Sequence, residues 1–165
     1  MARTSKGAPD AIQLLKKDHA EVSALFTRFE DASDPDEKSE IAGELCRKLT
    51  VHALCEEELL YPAAHASIDD DLVYQAEIEH QSARDLIARI EDADPQAEDF
   101  DAMLHVLAEY VRHHVKEEEG EVFARARESF PEERRRELGA QVQAAKEAQT
   151  QLSQESDEEP STAAV

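Results

Sequence analysis

Two stretches of this chain occur twice in the same order, and this repeat limits the folds that the chain can adopt. Residues 18–31 (DHAEVSALFTRFED) match residues 79–92 (EHQSARDLIARIED), and residues 51–64 match residues 113–126. In each copy the apolar residues recur every three or four positions, as they do in a helix with one buried face. A hairpin of two such helices cannot bury its apolar faces alone, so we expect two similar helical hairpins that pack against each other.

Acidic breaks, two of which contain proline, separate four long segments with this helical periodicity. The breaks read DASDPDE, HASIDDD and DADPQAED. The segments between them predict helices over residues 10–30, 36–64, 70–91 and 96–128. Short connections make neighbouring helices antiparallel, so the predicted fold is all-α, an up-down-up-down four-helix bundle. The abundance of strong helix formers and the presence of only 4 glycines agree with it.

The C-terminal part of the chain predicts one more helix and a tail. Residues 131–151 predict a short fifth helix, because a proline and two glutamates occupy its first turn. Residues 152–165 lack periodic apolar positions and predict a disordered acidic tail. A chain of 165 residues suits one domain, which we expect to span residues 10–151.

The formal net charge of −21 disfavours several classes of partner. Phosphate backbones and anionic lipid surfaces should repel such a chain, so we expect neither a nucleic acid nor a membrane partner. The first residues lack the apolar core of a signal peptide, and no run approaches the roughly 18 apolar residues of a membrane span. We therefore expect a cytoplasmic protein, and we favour a monomer. Cys46 and Cys55 are too far apart on one helix for a disulfide, so we expect them to be reduced packing residues.

Each of the four long helices carries one histidine on its apolar stripe, and two of them add a glutamate one turn later. These core-facing residues are His19, His52, Glu56, His80, His114 and Glu118. A buried carboxylate without a partner costs several kcal/mol, and the stripes offer no lysine or arginine at this level. Metal ions would supply the missing positive charge and would use the imidazole nitrogens as ligands.

The spacing of these residues sets the number of ions. Side chains at positions i and i+4 of a helix lie on one face about 6 Å apart, so each His/Glu pair can reach one site. The repeat relates the two pairs to each other, and it also relates the two single histidines, His19 and His80. The sequence therefore predicts a dinuclear metal centre with pseudo-twofold symmetry.

The same periodicity assigns the neighbouring residues to faces. The stripes place Leu59, Ala63 and Tyr110 inside, while Glu57 and Glu58 should point to solvent. The remaining histidines, His65, His105 and His113, should lie at the surface. A rotated fourth helix, in which His113 and Glu117 would replace His114 and Glu118, is the alternative.

The order of these residues resembles the hemerythrin-like cation-binding domain, also called the HHE domain. The resemblance rests on His19, His52-x-x-x-Glu56, His80 and His114-x-x-x-Glu118, and on the segments EELLYP and EVFA after the two glutamates. It spans residues 10–128 and the following short helix. It implies a four-helix bundle with a non-haem di-iron site, in which the two glutamates bridge the ions and the four histidines are terminal ligands.

The chain departs from the oxygen-carrying hemerythrins at two places. Those proteins have a second histidine on the third helix, where this chain has Ala76, and a longer His-to-Asp spacing on the fourth. Glu77, Tyr74 or water could fill the vacant position. Four imidazoles, two bridging carboxylates and an oxo or hydroxo bridge supply fewer donors than two octahedral iron ions accept, so exogenous ligands could bind.

These open positions favour a di-iron protein that binds or consumes O2, peroxide or NO. Peroxide decomposition in oxidative stress, a catalase- or peroxidase-like activity, is the most concrete reaction to test. The alternative is a non-catalytic iron or oxygen store, or a sensor that acts through a partner protein. Zinc also accepts histidine and carboxylate donors, so the donor set alone leaves zinc as an alternative metal.

Overall fold

A computed structural model describes residues 7–158, and the part it describes is helical with no strand. The predicted all-α bundle is confirmed, with two antiparallel hairpins and a fifth helix. In chain order the helices are α1 (Ala11–Asp31), α2 (Pro35–Cys55, extended by a π-helical segment Glu56–Leu60 and by Tyr61–His65), α3 (Asp70–Glu91), α4 (Phe100–Glu117, extended by a π-helical segment Glu118–Val122 and by Phe123–Ser129) and α5 (Glu132–Glu158).

An aspartate begins each of the first three helices, and for α2 and α3 it lies in the acidic break before the helix. The carboxylate of Asp10 accepts a hydrogen bond from the backbone N–H of Ile12. Asp34 caps α2 and Asp69 caps α3 in the same way. Each cap satisfies a backbone donor that has no partner inside the helix. The breaks therefore start the next helix as well as ending the previous one.

The ends of α4 and α5 differ from the predicted boundaries. Helix α4 begins at Phe100 rather than at residue 96, because Asp94 accepts from the backbone N–H groups of Gln96 and Ala97 and closes a turn there. Helix α5 runs on to Glu158, beyond the predicted end at residue 151. The rest of the predicted acidic tail, residues 159–165, lies outside the described residues.

The apolar core consists of two clusters with a polar layer between them. The loop-end cluster lies near the α1–α2 and α3–α4 connections and includes Phe26, Phe29, Leu45, Ile87 and Leu104. The α5-end cluster includes Leu15, Leu60, Tyr61, Phe123 and, from α5, Leu138 and Val142. Each such fully buried side chain contributes about 1.5–3 kcal/mol to stability. The polar layer between the clusters contains the six predicted ligands.

The two π-helical segments shift the register of the residues that follow them. The backbone N–H of Tyr61 bonds to the carbonyl of Glu56, and that of Phe123 bonds to Glu118, five residues back in each case. Each wide turn adds one residue, so every later side chain rotates to a new face. Leu60 and Ala64 are therefore buried, whereas the predicted inward positions Leu59 and Ala63 are only half-buried.

Tyr110 was also expected inside, and that prediction is wrong. Its side chain is 51% exposed, and Val111 packs against the loop-end cluster instead. The inward stripe of α4 thus runs from Leu107 to Val111, four residues on, and then to His114, three residues further on. A path through Tyr110 and a path through Val111 both fit one helix face, and the sequence alone does not distinguish them.

Within residues 7–158, no helix combines the length and the apolar character that crossing a bilayer requires.

Helix α5 packs along α1 at a point where only glycine fits. A Cβ atom at Gly139 would overlap the backbone carbonyl of Pro9 and lie 3.1 Å from the backbone nitrogen of Ala11. Nearby, the Arg135 guanidinium donates to Asp10 at 2.6 Å. The close approach holds α5 over one end of the bundle.

We predict that Gly139→Ala lowers the free energy of unfolding by about 1–3 kcal/mol, because the backbone of Pro9 must shift. The matched control is Gly43→Ala in α2, where the nearest atom is the flexible Arg47 guanidinium at 3.4 Å. That change should be neutral or should stabilise by up to about 1 kcal/mol. Urea unfolding of both variants gives the comparison, and equal effects would contradict the tight contact.

Candidate metal centre

Four imidazole rings, one from each of α1 to α4, meet in the polar layer of the bundle. All four histidines are buried, and their Nε2 atoms converge in two pairs. The Nε2 atoms of His19 and His52 lie 3.0 Å apart, and those of His80 and His114 lie 3.1 Å apart. Each hairpin therefore supplies one pair of imidazoles.

The carboxylate of Glu56 lies between the two pairs. Its Oε1 atom is 3.0 Å from Nε2 of His52 and 4.0 Å from Nε2 of His19. Its Oε2 atom is 3.2 Å from Nε2 of His80. Because the two oxygens face different imidazole pairs, one carboxylate can contribute a donor to each of two ions.

Glu118 reaches both pairs through one oxygen. Its Oε2 atom is 3.4 Å from Nε2 of His19 and 3.5 Å from Nε2 of His114. Its Oε1 atom accepts a hydrogen bond of 2.8 Å from the hydroxyl of Tyr61. The two glutamates, which the repeat relates, thus have different surroundings.

Two carboxylate oxygens in this layer have no hydrogen-bond partner among residues 7–158. They are Oε1 of Glu56 and Oε2 of Glu118, and both are fully buried. Buried polar atoms are almost always paired, and each of these oxygens lies among imidazole nitrogens. The donors form two groups that share Glu56, in which all donor atoms lie within 4.8 Å of one another: His19, His52, Glu56 and Glu118 in one, and Glu56, His80 and His114 in the other. Such donor sets fit two ions of iron or zinc.

A second layer of carboxylates holds the outer nitrogens of the four rings. We call these residues the outer carboxylates. Nδ1–H of each histidine donates to one of them, in the pairs His19–Glu119 at 2.8 Å, His52–Asp18 at 3.3 Å, His80–Glu57 at 2.9 Å and His114–Glu79 at 2.8 Å. A hydrogen bond at Nδ1 orients the ring and leaves the Nε2 lone pair free for a metal.

Sequence reasoning missed the outer carboxylates, although the sequence contains a signal for them. Asp18 and Glu79 directly precede a histidine, and Glu57 and Glu119 directly follow a central glutamate, so the repeat relates the members of each pair. The prediction that Glu57 points to solvent is wrong, because its side chain is half-buried and its carboxylate accepts from His80. Glu58, the next residue, is exposed as expected.

The hydroxyl of Tyr61 lies near the position of the missing histidine. Ala76, which stands at that position, is buried and too short to reach the centre. Tyr74 is 54% exposed, and the Glu77 carboxylate lies 3.5 Å from His65 at the edge of the bundle, so neither expected residue fills the position. The Tyr61 hydroxyl is instead 3.4 Å from Nε2 of His80.

Only one copy of the repeat has this hydroxyl. The counterpart of Tyr61 is Phe123, whose ring stacks on His19 with 5.6 Å between the ring centroids. Burial and the neighbouring carboxylates of Glu56 and Glu118 hold the pKa of Tyr61 well above its usual value. The phenol therefore keeps its proton at neutral pH and acts as a donor.

The charges of the metal-free centre balance through protons. Burial opposes protonation of His52, yet the carboxylates of Glu56 and Asp18 raise its pKa to about 10. Burial likewise opposes protonation of His114, and the neighbouring carboxylates of Glu118 and Glu79 raise its pKa to about 10. Burial disfavours the ionised form of Glu56, but His52 and His80 hold its pKa well below the usual range. Protons here supply the positive charge that an ion would bring.

The remaining histidines lie away from the buried layer. His113 is 62% exposed and His105 is exposed, whereas His65 is partly covered and bonds to Asp70. The rotated helix that would have placed His113 and Glu117 in the centre is therefore wrong.

An apolar cavity of about 350 Å³ adjoins the imidazoles on the side of the loop-end cluster. All four histidines line it, together with apolar side chains that include Val22, Leu49, Ala83, Ile87 and Val111. Its walls favour small uncharged molecules over anions.

Comparison with known proteins gives one family and one fold. The family model of the hemerythrin HHE cation binding domain matches residues 10–126. A crystal structure of a hemerythrin HHE cation binding domain-containing protein from Mycobacterium kansasii has a TM-score of 0.76 at 21% identity, covering 87% of this chain and 89% of that chain. At this identity the likeness shows a shared fold.

The name of one curated relative refers to DNA and not to cation binding. A protein of Nostoc sp. called DNA nickase is 30% identical over 133 residues, which are 81% of this chain. The chain spans 38% of the length of that relative.

We predict that the metal-free protein loses stability as the pH rises from 6.5 toward about 10. The folded pKa of His52 and His114 lies above the unfolded value of 6.5, so their contribution is complete below 6.5 and disappears as they lose their protons. Thermal unfolding across this range measures the effect. Metal-loaded protein is the control and should depend less on pH, because an ion replaces the protons. A flat or rising Tm of the metal-free protein would contradict the protonated pair.

Proposed function

Because this chain belongs to the family of hemerythrin HHE cation binding domains, we propose that it holds two iron ions among its buried histidines and glutamates. We also propose that the iron-loaded protein binds or consumes O2, peroxide or NO. Peroxide decomposition in oxidative stress is the activity to test first. The reduced, buried thiols of Cys46 and Cys55 fit a cytoplasmic location, which is part of the same proposal.

The observation that carries the proposal is the pair of unpartnered carboxylate oxygens among four imidazoles. Glu56 Oε1 and Glu118 Oε2 would be costly to bury in a structural bundle, since neither has a hydrogen-bond partner in the range that the structure describes. Two cations would neutralise both glutamates. The Nδ1–H bonds of all four rings to carboxylates support the same use, because they aim Nε2 at the centre.

Iron at the two positions would supply the exchange of electrons that peroxide decomposition needs. The chain's own residues contribute access and a proton. The apolar cavity opens onto the imidazole rings and admits a small uncharged ligand such as hydrogen peroxide or NO. The Tyr61 hydroxyl oxygen lies 2.8 Å from Oε1 of Glu118, so the phenol holds a proton at the edge of the centre, within reach of a bound ligand.

DNA cleavage is not part of the proposal. The nickase name belongs to the relative from Nostoc sp., of which this chain spans 38%. The net charge of −21 opposes binding to a phosphate backbone.

We predict that protein loaded with Fe²⁺ without oxygen retains two irons per chain and then consumes hydrogen peroxide. Glu56→Gln removes the carboxylate that faces both imidazole pairs, so iron retention and the rate of peroxide loss should fall by about 10- to 100-fold. The matched control is Glu58→Gln, an exposed neighbour in the same turn, which should change neither. Metal analysis and the decay of peroxide absorbance give the two measurements.

The outcomes separate the competing functions. Peroxide loss in the wild-type protein that disappears in Glu56→Gln supports an enzyme. Ligand-dependent spectra without turnover would favour a store or a sensor that acts through a partner. A Glu56→Gln variant with full iron and full activity would contradict the proposed centre, and zinc in place of iron would contradict the redox role.

A further inference from the structure

The four outer carboxylates differ in the residue that balances their charge. Asp18 bonds to the Lys146 ammonium, Glu57 bonds to the Arg84 guanidinium at 2.6 Å, and Glu119 lies 3.1 Å from the Lys16 ammonium. In the part of the chain that the structure describes, no lysine or arginine pairs with Glu79. One of four equivalent positions thus lacks a fixed cation.

Glu79 instead belongs to a group on the outside of α3 and α4, which we call the surface cluster: Glu79, His113 and Glu117. Nε2 of His113 lies 3.7 Å from Oε1 of Glu79 and 3.4 Å from Oε1 of Glu117. The donor atoms of the three residues lie within 4.8 Å of one another. One imidazole and two carboxylates form a ligand set for a divalent cation.

The internal repeat shows what takes the place of this cluster in the other hairpin. Asp18 is the counterpart of Glu79, while Val51 and Cys55 are the counterparts of His113 and Glu117. There the ammonium of Lys146, from α5, binds Asp18. One copy therefore carries a built-in cation, and the other carries ligands where that cation would be.

A narrow cleft leads from the surface cluster to the buried centre. The cleft has a volume of about 70 Å³ and runs between α3 and the π-helical part of α4. Gln75, Glu79, Glu117 and Glu121 line it toward the surface, and Ala76, His114 and Glu118 line it toward the interior. Glu118 is 1% exposed, and no described residue forms a hydrogen bond with its Oε2 atom. Ala76, which lines the inner part of the cleft, contributes only a methyl group to its wall.

We propose that the surface cluster is an outer binding site for a divalent cation such as Fe²⁺, and that the ion passes from it along the cleft into the buried centre. The inference rests on the proposed metal centre. Glu79 connects the two sites, because its Oε1 atom faces His113 while its Oε2 atom accepts from Nδ1 of His114. The net charge of −21 concentrates cations around the protein and so favours capture at this cluster.

The test is the rate at which metal-free protein takes up Fe²⁺ without oxygen, followed by stopped-flow absorption. The double variant His113→Ala, Glu117→Gln should take up iron about tenfold more slowly and still reach two ions per chain. His113→Lys, which places an ammonium like that of Lys146 in the cluster, should slow uptake at least as much. The matched control is His105→Ala, an exposed histidine on the same helix outside the cluster, which should keep the wild-type rate.

A second measurement observes the outer site directly. Mn²⁺ titrated into iron-loaded protein should bind once more per chain in the wild type, with a change in its electron paramagnetic resonance signal, and not in the double variant. Equal uptake rates in all variants would overturn the route. A double variant that stops below two irons would overturn it too, by placing His113 or Glu117 among the inner ligands. Wild-type protein that takes up no iron at all would refute the metal centre itself.

Discussion

Two carboxylates buried at the middle of a helical bundle impose the main physical constraint on this protein. Glu56 and Glu118 are almost completely removed from solvent, and in the described part of the chain each has one oxygen without a hydrogen bond. Such groups would destabilise the fold by several kcal/mol unless positive charge lay within a few ångströms. The four imidazoles around them, the outer carboxylates and the basic residues beyond follow from this need.

Charge alternates outward from the centre. The central glutamates face imidazole Nε2 atoms, each ring donates from Nδ1 to an outer carboxylate, and three of those carboxylates meet a lysine or an arginine. Each layer compensates the one inside it, so removal of a metal need not collapse the fold while protons remain on His52 and His114. The exception is Glu79, which faces His113 rather than a lysine or an arginine.

The positions of the six central residues followed from the sequence, because two rules coincide there. His52 and Glu56 lie one helical turn apart on an apolar stripe, and the repeat places His114 and Glu118 in the same relation. The all-α bundle followed from periodicity and from the acidic breaks. Both rules depend on regular helix geometry, which extends from each histidine to the glutamate that opens the π-helical segment.

Predictions failed where the geometry departs from 3.6 residues per turn or where a contact spans several helices. The π-helical turn that begins at Glu56 moved Leu60 inward, and no local pattern of charges or apolar residues indicates that turn. Tyr61 reaches the centre through the same shift. Glu57 bonds to His80 on another helix, a contact that a single-helix pattern does not show. The pairing of Asp18 with Lys146 joins residues far apart in the chain, which only the packing of α5 brings together.

Anomalous X-ray scattering from crystals of the iron-loaded protein, recorded at the iron absorption edge, tests the two-ion centre most directly. The arrangement of donors predicts two peaks, one beside Nε2 of His19 and His52 and one beside Nε2 of His80 and His114, with the Glu56 carboxylate between them. A single peak in the bundle, or iron only at the surface cluster, would contradict it.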